Sequence, residues 1–325
     1  MEAHQIVIRT QTGKKQLSEA KILHIEKQVA FHLGELQRGF ADGSLGENAI
    51  ENIDETHFVV DFDNGKTLEF CGDETVKYAD VVSGGEGMTM VVRISSGASA
   101  QIHPPMMIFT NSEGNYPIQG VPDKSPGVCY RSSKKGWMTQ KLYREYLKER
   151  RAIRAHVRER KKTVYLDNCS GHLEVSECRA ELDAINSDLK FFPNATDLCQ
   201  PADSWVISKI KDEWKAKWNE KSMALIKDGR WQNKIRKDGS WSGKLQNPGK
   251  KFFLQLAAEA VRVVNHQTDR NGMPYARKAM IRCGLFLGFD GTWSIKQFYP
   301  HLQEIISKHH AHFDGEPVDE KPVHA

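Results

Sequence analysis

Three aspartates in this chain are spaced so that they could hold divalent cations. Asp54 lies in "AIENIDET", Asp167 closes a run of strand formers in "TVYLDNCSGH", and Asp203 lies in "QPADSWVI". Carboxylates are hard oxygen ligands, the kind that Mg²⁺ and Mn²⁺ take, and Mg²⁺ keeps several waters, so a few carboxylates from separate elements suffice. Two such ions about 4 Å apart can clamp the attacking and leaving oxygens of a phosphoryl group. Each aspartate also has a plainer explanation. Asp167 could only turn the chain after a strand. Asp203 could favour a helix N-terminus through the dipole, and Asp54 could be a polar strand end. Three aspartates at three suitable element ends fit cation chemistry better than three coincidences. Asp73, in "GDET", repeats part of the Asp54 motif but follows a hairpin strand and a glycine and reads as loop, so Asp54 is preferred.

The elements that must position them follow from pattern. Leu and Ile at helical spacing predict a helix over 17–40, and "ADGSLGEN" ends it. "HFVVDFDNGKTLEF" predicts a hairpin around Asp63-Asn64-Gly65. Residues 88–109 predict a second strand pair, and Pro104 and Pro105 suggest that its second strand is an edge. A Gly- and Pro-rich loop follows to about residue 128, then a helix over 136–162 capped near Thr139. The strand Thr163–Leu166 leads into Asp167, and "CRAELDAINSDLKFFPN" predicts a short helix and a short strand. A helix opens near Pro201, which suits a first turn. Its apolar stripe of Ile207, Ile210 and Trp214 predicts that Asp203 points toward the core. Residues 227–251 read as a basic flexible connection, "KFFLQLAAEAVRVVNHQ" as an amphipathic helix, and a helical tail as running to about 309.

Strands, a helix, a strand ending in Asp and a helix starting near Asp together predict an α/β fold. It would be a ribonuclease H-like mixed sheet flanked by helices, with a helical C-terminal extension. The segments would be an N-terminal helical linker (1–45), a catalytic domain (46–222), the basic connection (223–251), the helical extension (252–310) and a disordered tail (311–325).

Composition agrees and excludes other classes. The chain has 325 residues, 39% hydrophobic and 27% charged, as globular chains do. Its charge of +4 permits an anionic partner without requiring one. It carries no apolar run long enough to span a membrane, and "MEAHQIVIRTQTGKK" lacks the apolar core of a secretory signal. The six cysteines form no C-x-x-C pair and read as reduced thiols of an intracellular protein.

"NIDET", "KGWMTQKLYREYL", "YLDNCSGH" and "FFPNATDLCQPADSWVISKIKDEW" resemble, in order, the hallmark segments of DDE-type endonucleases. The likeness is to the pogo, Tigger, Jerky and centromere protein B group of transposases, and it covers roughly residues 48 to 219. It implies that Asp54, Asp167 and Asp203 are the catalytic, metal-binding triad. Asp54 and Asp167 would share two Mg²⁺ or Mn²⁺ ions and Asp203 would hold the second. Asn168 and His172 would support them, His172 by orienting a phosphate or Asp167, or else as a hydrogen-bonded structural histidine. The resemblance implies metal-dependent cleavage or transfer of DNA phosphodiester bonds, DNA as partner, no membrane, a nuclear location and compatibility with a homodimer. Cys169 and Ser170 depart from the usual small or Pro residues, and residues 1–45 are too few for the two helix-turn-helix domains that usually come first. That departure leaves room for a domesticated DNA-binding or scaffold protein without turnover.

Lys148 to Lys162 holds eight Lys and Arg against two Glu. Such runs are usually solvated helix faces. Their place before the Asp167 strand makes Arg154, Arg158, Arg160, Lys161 and Lys162 candidates for tracking phosphates. Trp231 and Trp241 in the basic connection could stack on bases, or the segment could be a plain linker.

Overall fold

The computed structural model describes residues 18–59, 87–149, 161–167, 171–172, 174–193, 198–231, 239 and 245–319. Its centre is a six-stranded mixed sheet: β1 (Ile50–Val59), β2 (Gly87–Ser95), β3 (Met106–Thr110), β4 (Cys129–Ser133), β5 (Lys162–Leu166) and β6 (Ser187–Phe191). The order across it is β4-β3-β2-β1-β5-β6. β1, β2 and β3 run antiparallel in turn, while β5 pairs parallel with β1 and β6 parallel with β5. This is the mixed, helix-flanked sheet expected of a ribonuclease H-like core.

Alternation along the strands divides the molecule into two layers. Ile50 and Phe58 of β1, Met90 and Val92 of β2, and Met107 and Phe109 of β3 enter one core. Six helices cover that face: α1 (Glu19–Ala41), α4 (Ile207–Lys227), α5 (Lys250–His266), α6 (Tyr275–Arg282), α7 (Pro300–Lys308) and α8 (His310–Phe313). Ile53, Val91, Ile108, Val164 and Leu166 enter a smaller core under α2 (Gln140–Leu147) and α3 (Arg179–Ala184). Because both faces are covered, β2 is buried nearly throughout.

Local chemistry sets the helix ends. Ser18 caps α1 by accepting from the Lys21 amide, and Thr139 caps α2 by accepting from the Leu142 amide. At the other end of the chain, α8 lies against α1. A Cβ on Gly34 would overlap the Phe313 carbonyl oxygen, which Arg38 Nη1 approaches as donor at 2.8 Å. Glu26 of α1 accepts from Lys308 Nζ at 2.6 Å and His309 Nε2 at 2.9 Å.

Several expectations are corrected. β3 is interior and β4, which the pattern did not show, is the edge; Pro104 and Pro105 precede β3 rather than interrupt it. β1 begins at Ile50, so Asp54 sits in mid-strand opposite Val92 and not at a strand end. The proposed segments pack together: α1 and α5 to α8 share one core with the sheet and α4. The start of the proposed disordered tail is ordered: Phe313 is buried. The hairpin turn at 63–65, the distal part of the 136–162 helix, and residues 232–238 and 240–244 of the basic connection, Trp241 among them, fall outside the described residues.

Candidate active site

The carboxylates gather where β1, β5 and the start of the α4 helix meet. Asp54 is 6% exposed. Its Oδ1 accepts from the Glu55 amide at 2.8 Å, and its Oδ2 is buried with no donor among the described residues. Burial pushes its pKa well above the ordinary 3.8, and the negative charges of Asp203, Glu55 and Asp167 push it further; the Glu55 amide only partly opposes them. Asp203 and Asp167 thus both act on Asp54 through space, although they lie on different elements.

Asp203 is exposed, not turned into the core. The stripe of Ile207, Ile210 and Trp214 is buried as expected. The helix opens, however, with a wide π-type turn over Ala202–Val206. Its i→i+5 bonding shifts the rotational phase, so the α-helical stripe cannot be extended back to Asp203. Wide turns of this kind recur at functional sites.

Asp167 follows the last residue of β5, with its side chain 28% exposed. Its Oδ1 is buried and receives no hydrogen bond, though His172 Nδ1 is 3.1 Å away. The Nδ1 proton goes instead to the Asp167 backbone carbonyl at 2.9 Å. His172 Nε2 lies 2.9 Å from Glu55 Oε1. A carbonyl can only accept, so Nδ1 carries a hydrogen. An ionised carboxylate also only accepts. A proton therefore sits between His172 and Glu55, on one or the other. The imidazole is fully enclosed and packs against the Tyr143 ring of α2, with centroids 5.0 Å apart.

Glu55, which sequence reasoning passed over, thus joins the site from the opposite face of β1. One ligand atom each from Glu55, Asp167 and His172 lies within 4.8 Å of the others. His172 already uses both nitrogens, so a cation there would displace a hydrogen bond. At Asp54 Oδ2 there is none to displace. The groups that act on Asp54 through space are carboxylates, hard oxygen donors of the kind that suits a divalent cation.

A second network holds the site's frame. The Asn52 amide nitrogen donates to the carbonyls of Ile53 and Tyr165 at 3.1 and 3.2 Å, and its oxygen accepts from the Ala202 amide at 2.9 Å. On the other face of β1, Glu51 accepts from Arg93 Nε and Nη2 at 2.8 and 2.9 Å and from Lys162 Nζ at 2.7 Å. Those cations hold the buried Glu51 carboxyl down at about 2 against desolvation.

Of the basic candidates, Lys162 is corrected: it is largely buried, and its charge is paired with Glu51. Lys161 is exposed and pairs with Asp188 at 2.8 Å. Arg154, Arg158, Arg160 and Asn168 lie outside the described residues. Among the described residues, no helix is long and apolar enough to cross a membrane.

The chain is similar in structure to the Mos1 mariner paired-end complex with Mn, at a TM-score of 0.49 and 11% identity, covering 97% of this chain and 70% of that one. It is also similar to the Mos1 transposase paired-end complex with left transposon end, at 0.46 and 14% identity, covering 90% and 69%. For the catalytic domain of Mos1 mariner transposase the values are 0.37 and 11%, covering 83% and 97%. No curated protein sequence matches the chain. The sequence family described as DDE superfamily endonuclease matches residues 89–265, from β2 through most of α5, a span that includes Asp167 and Asp203. With just over half of its residues in that match, this chain belongs to the DDE superfamily endonucleases.

Proposed function

We propose that the chain cleaves or transfers DNA phosphodiester bonds with two divalent cations, Mg²⁺ or Mn²⁺, held by Asp54, Asp167 and Asp203. The observation that carries this reading is Asp54: a buried carboxylate whose Oδ2 has no donor and whose neighbours are other carboxylates. Such a group is costly in a protein with no cation to meet it. When bound, the cations supply positive charge where the reacting phosphoryl group and the attacking oxygen need it.

The chain's own residues do the rest. Asp54 must be ionised for the site to load. His172 fixes the Asp167 carbonyl and Glu55 at once, which holds the turn after β5 in place. The exposed Asp203 leaves the solvent side open to a polyanion. No side-chain nucleophile is required, because water or a DNA 3′-hydroxyl attacks. DNA as substrate and the nucleus as place of work follow from the resemblance to the pogo group.

The test is nicking of supercoiled plasmid with Mn²⁺ or Mg²⁺. Wild-type chain should nick, and Asp54→Asn should not. Salt-sensitive DNA binding with no nicking by either protein would favour a silent binder instead.

A further inference from the structure

We infer that Asn52 is a positioning residue that fixes the three aspartates relative to one another, an assignment that rests on the endonuclease reading above. Asn52 lies two residues before Asp54 on β1 and shares its face. Its amide nitrogen donates to the carbonyl of Tyr165, two residues before Asp167 on β5. Its amide oxygen accepts from the backbone of Ala202, one residue before Asp203. One fully buried side chain thus ties together the three elements that carry the triad, each within two residues of its aspartate.

The Ala202 bond is also chemically necessary. The first amides of a helix have no partner within it. Here Pro201 offers no side-chain cap, and the remote Asn52 oxygen serves as one. It thereby anchors the wide turn that carries Asp203 to β1.

Only Asn meets this demand at this length. It offers two N–H groups and an acceptor on one short arm. Asp would keep the acceptor for Ala202 but face the lone pairs of the Ile53 and Tyr165 carbonyls. Leu would keep the volume and lose every bond. Gln would add a methylene to a side chain that is fully buried.

The experiment compares wild type, Asn52→Leu, Asn52→Asp and Ile53→Val. Ile53 points into the opposite core, so Ile53→Val controls for general loosening of β1. Circular dichroism checks the fold. Plasmid nicking, run below the melting temperature of every variant, and thermal shift are each titrated with Mn²⁺. Both Asn52 variants should need about 10- to 100-fold more Mn²⁺ for half-maximal effect and should nick more slowly at saturation, as when residues that orient metal ligands are lost. Ile53→Val should melt earlier but keep the wild-type Mn²⁺ demand. Wild-type Mn²⁺ demand and rate in a folded Asn52→Leu would overturn the assignment. So would a loss matched by Ile53→Val, or failure of both Asn52 variants to fold, which would make Asn52 a purely structural residue. A wild type that neither nicks nor responds to Mn²⁺ would overturn the endonuclease reading itself, whatever the variants do.

Discussion

Glu51 and Asp54 stand three residues apart on β1, both buried, and the fold treats them in opposite ways. Glu51 faces the α2 side and is met by two cations and three hydrogen bonds. Its carboxyl is held at about 2. Asp54 faces the other way, has one backbone amide for company, and is surrounded by like charge. Where a buried carboxylate serves the framework, the chain supplies its counter-charge. Where it is left without one beside other carboxylates, the counter-charge has to come from outside. On the reading proposed above, the contrast separates a structural anion from a cation ligand more sharply than burial alone does.

The largest expected effects break the pair apart by mutation. Asp54→Asn should reduce metal-dependent nicking to background while raising the metal-free melting temperature, because it removes a repelled charge and keeps the acceptor for the Glu55 amide. Glu51→Gln should do the reverse. It leaves Arg93 and Lys162 buried without their partner, at a cost of about 3–5 kcal/mol, yet the molecules still folded should nick normally. Urea melts and nicking assays on both variants decide it; equal destabilisation by the two would dissolve the contrast.

Metal should sharpen it further. Mn²⁺ at one hundred times its Kd should stabilise wild type by about 2.7 kcal/mol through mass action. Glu51→Gln should keep that gain and Asp54→Asn should lose most of it. Thermal shift with and without Mn²⁺ reads the difference.

The two carboxylates should also give stability slopes of opposite sign with pH. Glu51 has a lowered folded value, so its contribution is fully present above its ordinary 4.5 and is lost as pH falls toward 2. Asp54 has a raised folded value. Between its ordinary 3.8 and that value the folded state holds a proton the unfolded state has released, so metal-free stability falls as pH rises. Differences between wild type and each variant, measured across pH by chemical denaturation, isolate the two slopes. A flat Asp54 difference would count against charge crowding.

The smallest effect compares neighbouring lysines. Lys161 and Asp188 are each nearly half exposed, so Lys161→Ala should cost less than about 1 kcal/mol. Lys162→Ala should cost clearly more, because it strips a counter-charge from Glu51 in a buried setting.

The same contrast explains what could be read from sequence. Helices α1, α4 and α5, the Thr139 cap, β5 and the α3–β6 unit are signalled by local periodicity and caps, and they lie where expected. β1 was hidden because Glu51, Asn52 and Asp54 break its apolar alternation. Their partners, such as Arg93, Lys162 and Ala202, lie 42, 111 and 150 positions away, beyond any sequence window. Lys162 was misassigned for the same reason: a lysine at the end of a basic run gives no sign that a distant glutamate buries it. The outward direction of Asp203 was missed because an α-helical period was carried through a turn that is not α-helical. β4, "CYRSS", is too short and too polar on one side to announce itself. The candidate aspartates stand out as residue types, and Asp167 also by its place after a strand, whereas Asp54 lies within one; the Glu55–His172 clamp gives no such sign, since its two halves are 117 positions apart.

The contact between α1 and α8 has a consequence for how the chain acquires its fold. The first described helix buries Leu33 and Leu36 in a core that includes Leu302, Ile306 and Phe313. During synthesis α1 leaves the ribosome well before residues 302–313, which help to cover it. Contacts of such long sequence separation are slow to form, and an apolar helix face waiting for its cover is exposed to wrong partners. Completion of this layer is therefore a late event, gated by the arrival of residues 302–313. A chain that stops short of them would hold its sheet and triad residues in full and still leave one face of α1 open to aggregation.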